Sequence, residues 1–160
     1  MIGPRLSAGF LLAGFLLSVS IAGVMVSSAL GESPPPALPF VPHVDMKTFM
    51  EHVLTPAATI IWRSNGIVID DKGEHDLSPK TDADWEQIVS GAATLAEATN
   101  ALMIPQRVQD QEWISYAQKL SQAADKAYHA AEEHNLKSVS EVSDQLDGIC
   151  ADCHRHYGLE

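Results

Sequence analysis

The sequence predicts an all-α fold in which four amphipathic helices pack as an antiparallel up-down-up-down bundle. Three observations lead there. Beyond residue 43, four segments repeat apolar residues at helical spacing, no segment alternates as a half-buried strand does, and most connections between the segments are short.

Helix one is expected from about Asp45, whose carboxylate suits an N-cap, to Ser64, with Asn65-Gly66 as its stop. Its inward stripe is Met46, Phe49, Met50, Val53, Ala57, Ile60 and Ile61, and Pro56 inside the pattern predicts a kink. The connection over 65–80 carries Asp70, Asp71, Glu74 and Asp76. It lacks the oxygen-ligand spacing of a calcium loop and reads as a solvated acidic turn. Helix two starts at a Thr81 cap, with Asp82 and Asp84 favouring the positive helix end. It keeps one register through Trp85, Ile88, Ala92, Leu95, Thr99, Leu102 and Met103, until Pro105 stops it. Helix three spans about Asp110 to His134, with Trp113, Ala117, Leu120, Ala124, Ala127 and Ala131 inward. Helix four starts near Ser138 and aligns Val139, Val142, Leu146, Ile149, Cys150, Cys153 and Tyr157 on one side.

Two segments precede this domain, which is expected to cover 43–160. Residues 1–31 carry Arg5, an apolar run from Ala8 to Leu30, and small residues at Ala29 and Gly31. They read either as a secretory signal peptide cut after Gly31 or as a retained membrane anchor, since the run reaches the ~20 residues that span a bilayer. Both readings place the domain in the periplasm, soluble or tethered to the inner membrane. The Pro-rich stretch 32–42 forbids helix and reads as an extended linker. Without the leader, nine basic side chains face 21 acidic ones. That balance argues against nucleic acid or anionic lipid as a partner and favours proteins with basic docking surfaces.

The only cysteines, Cys150 and Cys153, sit in "CADCH", with His154 directly after the second. Three chemistries use this spacing. A dithiol oxidoreductase needs its cysteines at a helix N-terminus, where a thiol pKa falls, and these lie near a C-terminal end. A structural zinc site needs four ligands, and only His154 and His156 are near. The third is covalent haem attachment, in which both thiols add across the porphyrin vinyl groups and the following histidine coordinates iron. Helical spacing suits it, since residues three and four apart share a face.

A C-terminal CxxCH on the fourth of four helices, here "CADCHRHY" with its trailing Tyr157, resembles the class II c-type cytochromes, cytochrome c′ and its low-spin methionine-ligated relatives. The similarity covers about residues 43–157 in helix order and length. It implies one covalent haem c between the helices near one end, and a homodimer formed through helices one and two. Arg or Lys often follows the aromatic residue in that family, whereas this chain has Gly158.

The sixth iron ligand is expected from the first two turns of helix one, which in an antiparallel bundle lie beside the end of helix four. Met46 and Met50 both face inward there, one turn apart, so one of them at most reaches iron. Met50 is the favoured ligand, because "KTFMEHV" resembles the stretch that carries the sulfur ligand in the low-spin relatives; Met46 is the alternative, and core packing is the competing role for both. His52 falls on the opposite side of the wheel and reads as a surface residue, as do His43, His75, His129, His134 and His156. Two functions follow. With His154 and Met50 both on iron, the protein is a single-electron carrier between redox partner proteins and not an enzyme; with the distal position open, it binds or scavenges nitric oxide or carbon monoxide. No polar acid-base pair stands on the inward stripe for peroxidase chemistry. Arg107 is read either as a partner for a haem propionate or as a solvated loop residue, and Trp62, Trp85 and Trp113 as core lining with a chance to stack near the porphyrin.

Overall fold

A computed structural model describes residues 40–159. The leader 1–31 and nearly all of the linker 32–42 lie outside the described residues. The described part is mostly helical, with one small two-stranded sheet.

The first helical rod opens at Asp45, whose carboxylate accepts the backbone N–H of Thr48 at 2.8 Å. α1 (Met46–Phe49) passes into a π-helical turn, Met50–Leu54, and then into α2 (Thr55–Trp62). Pro56 accounts for the wide turn. It brings no N–H, and its ring crowds the carbonyl four residues back, at His52, so the ladder relaxes by bonding the Thr55 N–H to the Met50 carbonyl. The expected kink is therefore a π turn, and it corrects the expected stripe. One extra residue in the turn rotates the remainder of the rod, so that Leu54, Ala57, Ala58 and Ile61 are buried while Ile60 is partly exposed.

The 65–80 connection is more than a turn. Ile67–Asp70 (β1) and Gly73–Asp76 (β2) pair antiparallel, Ile67 opposite Asp76 and Asp70 opposite Gly73. Three consecutive β-branched residues favour extended backbone. The turn is set by Asp70, whose side chain accepts the Lys72 N–H at 2.8 Å, and by Gly73 at φ +119°, a conformation that side chains resist. Both strands are exposed throughout, which is why the run shows no burial alternation for a sequence reading to find.

α3 (Asp82–Thr99) begins with a capping box: Thr81 accepts the Asp84 N–H while the Asp84 carboxylate accepts the Thr81 N–H. It tightens into a 3₁₀ turn at Asn100–Leu102 before Pro105. α4 (Gln111–Glu132) is capped by Asp110, and α5 (Leu136–His156) by Asn135, which accepts the Ser138 N–H and starts the helix two residues ahead of expectation. α2 packs on α3, α3 on α4, α4 on α5, and α5 on α2. The buried alanines of α4, among them Ala117, Ala124, Ala127 and Ala131, permit close approach to its neighbours. Gly91 does the same for α3 against α2, because a Cβ there would stand 2.8 Å from the Ile60 Cβ. Among the described residues, no helix is long and apolar enough to cross a membrane.

Candidate functional site

Cys150, Cys153 and His154 lie in the last two turns of α5 and are all half-buried. They line one largely apolar cavity, open on one side, with an inner volume of about 90 Å³. The first rod supplies Met50, Leu54, Thr55, Ala58 and Trp62 to its wall; Leu95 and Leu102 come from α3 and its 3₁₀ extension; α4 adds Trp113, Tyr116, Ala117 and Leu120. Met46 packs against the core but is not part of this lining. Residues over a hundred positions apart thus meet in one cleft.

The π turn bears directly on Met50. It begins at that residue, so Met50 lines the cavity together with Leu54, Ala58 and Trp62, positions that the regular-helix stripe did not include. His154 is the one half-buried imidazole among the described residues: His43, His52, His75, His129, His134 and His156 are all exposed. His134 lies stacked on Trp85, with ring centroids 4.8 Å apart.

Both cysteines are free. Burial, followed by the neighbouring Cys153 and Asp147, pushes the Cys150 thiol up to about 11, and burial raises Cys153 as well. Such thiols are protonated at neutral pH, the opposite of what a dithiol oxidoreductase requires. Among the described residues no three His, Cys, Asp or Glu side chains gather as a metal cluster does.

The far wall is fastened by a short chain of bonds. Trp113 donates its indole N–H to the Leu102 carbonyl at 2.7 Å. Asp110 accepts the Trp113 backbone N–H at 2.8 Å and the Tyr157 hydroxyl at 2.7 Å, joining the start of α4 to the end of α5. The Tyr157 ring meets Trp113 edge-on at 5.3 Å. Beyond Tyr157, Gly158 stands at φ +65°. Its N–H bonds to the Arg155 carbonyl, and the Leu159 N–H bonds to the His154 carbonyl. This is a Schellman closure, and it accounts for a glycine where the resembled family often has a cation.

Arg107 is half-buried and not in the cavity wall. Its guanidinium donates to the Val44 and Ala101 carbonyls at 3.0 and 3.2 Å and lies 4.2 Å above the Phe49 ring, tying the loop to the start of the first rod. Sequence reasoning missed Leu54, Ala58 and Tyr116, which lie off the expected stripes, and did not assign Leu95 and Leu102 to the site, since apolar positions on a stripe carry no mark of which cavity they line.

No protein-family model matches the chain, and no curated protein or solved structure matches it either.

Proposed function

We propose that this chain is an exported c-type cytochrome, an antiparallel four-helix bundle that carries single electrons on one covalent haem. The observation that carries this reading is the convergence of Cys150, Cys153, His154 and Met50, from the two ends of the described chain, on one largely apolar cavity. The donor set fits a porphyrin. Two thiols three residues apart on one helix line the cleft and would hold the ring covalently by its two vinyl groups. His154 would supply a nitrogen and Met50 a thioether sulfur to the iron. The remaining wall is aliphatic and aromatic, as a flat apolar ring requires.

When bound, the haem supplies a one-electron couple, and a thioether ligand raises its potential. The chain's own residues do the rest: the apolar wall excludes water, the Asp110–Tyr157 bond holds the end of α5 against α4, and the Schellman closure terminates the helix one turn after His154. The acidic surface favours redox partners with basic docking faces.

The test is the natively matured protein. Its mass is expected to exceed that of the polypeptide by one haem, and its spectrum to be low-spin and unresponsive to carbon monoxide. Met50→Leu is expected to abolish that insensitivity while costing less than about 1.5 kcal/mol of stability, because the exchange conserves volume; Met46→Leu is expected to leave the spectrum unchanged. Rapid carbon monoxide binding by the wild type assigns the site to gas binding instead, and bare thiols end the reading.

A further inference from the structure

Trp62 ends α2 and lines the cavity, and its indole Nε1–H is buried with no hydrogen-bond acceptor in the chain. Buried N–H groups are paired in the great majority of cases, and leaving one unpaired costs about 1–3 kcal/mol. Trp113 provides the contrast. That indole lines the same cavity and has found the Leu102 carbonyl. The cavity lining does carry acceptor atoms, on Thr55, Tyr116, His154 and the sulfurs of Met50, Cys150 and Cys153, but none of them stands within hydrogen-bond distance of the Trp62 Nε1. The acceptor has to come with whatever fills the cavity.

We infer that Trp62 is a positioning residue for the porphyrin, its indole N–H donating a hydrogen bond to one propionate carboxylate. The inference rests on the reading of the site as a haem pocket. Within that reading the acceptor follows by elimination. The vinyl groups are consumed by Cys150 and Cys153, methyl and methine carbons accept nothing, and the pyrrole nitrogens face iron, so the two propionates are the ring's only free acceptors. Tryptophan is donor-only, and its bond to an ionised carboxylate is of the stronger, charge-assisted kind. Asn65, whose Nδ2 is the other unpartnered buried donor among the described side chains, is not in the cavity wall and takes no part.

Trp62→Phe in the holoprotein tests this, because Phe keeps the ring and removes the donor. Haem content is measured first, by alkaline pyridine spectroscopy; a wild type without covalent haem overturns the site reading and this inference together. With haem present in both proteins, the variant is expected to shift the propionate bending bands in the resonance Raman spectrum. The pH at which its reduction potential inflects is expected to rise by about one unit, what a lost charge-assisted bond is worth. Trp62→His, which retains a ring donor, is expected to restore the wild-type inflection. Unchanged bands and an unchanged inflection at full haem content overturn the inference while leaving the haem reading intact. Should Trp62→Phe fail to mature, ultraviolet resonance Raman of the wild type decides: all indoles hydrogen-bonded supports the inference, and a free-indole component overturns it.

Discussion

At the residue scale, Gly158 shows how a local need can displace a residue type that a resemblance leads one to expect. Its backbone lies at φ +65°, where a Cβ collides with the following carbonyl, and both of its closing bonds depend on that conformation. Space does not constrain the position, since a Cβ there meets nothing within 4 Å. Gly158→Ala is therefore expected to destabilise by about 1–2 kcal/mol through backbone strain alone, and to lower the melting temperature by a few degrees in a thermal scan. Unchanged stability would show that the closure is not formed in solution. The same turn ends one residue after the Tyr157 hydroxyl bond, so fraying there also loosens the segment that carries His154.

At the scale of elements, the caps at Asp45, Thr81 and Asp110 were legible because a side chain reaching a backbone N–H three residues on is a local event that leaves a local pattern. The hairpin was not, because both its strands are exposed and an unburied strand writes no alternation into the sequence. Nor was the π turn: Pro56 announces a disturbance, but whether the chain kinks or widens depends on what packs behind it. The consequence is testable. One residue of extra winding is worth a rotation of about 100°, so Pro56→Ala, which restores the missing N–H, is expected to regularise the rod and turn Met50 away from the cleft. Far-ultraviolet circular dichroism should then keep its helical signal while the low-spin haem spectrum expected under the proposed function is lost; a retained spectrum would mean that Met50 does not depend on the π turn. Gly91 is the corresponding device on α3. Gly91→Ala gains about 1 kcal/mol of helix propensity but drives a Cβ to 2.8 Å from the Ile60 Cβ and 3.1 Å from the Ala57 carbonyl. Neither neighbour is the free end of a flexible chain, so the overpacking cost of about 1–3 kcal/mol is expected to win, visible as a lower denaturant midpoint.

At the scale of the whole molecule, one contact closes the described chain and couples it to pH from both sides. The Tyr157 hydroxyl donates to Asp110 at 2.7 Å, which needs the phenol protonated and the carboxyl ionised. The Asp110 carboxyl is held below its usual range by that hydroxyl first and the Trp113 backbone N–H second. A depressed carboxyl contributes stability that is present above its unfolded value and lost as pH falls through the folded one. The Tyr157 phenol is raised, by burial first and then by Asp110, with Cys153 and Glu112 adding to it. A raised phenol contributes stability that is present below its unfolded value and lost as pH climbs toward the folded one. His156 also lowers the Asp110 carboxyl, in the same direction as the hydroxyl. The expected result is a plateau between the ordinary carboxyl and phenol ranges, about pH 4 to 10, flanked by a loss on each side. Tyr157→Phe removes the donor while keeping the ring that meets Trp113 edge-on. Its melting temperature is expected to fall below the wild type across the plateau and to converge with it at both extremes. Melting curves of the two holoproteins at a series of pH values would check this. A constant difference at every pH would mean that the hydroxyl contributes by packing, and no difference would mean that the end of α5 is held to α4 by the apolar contacts alone.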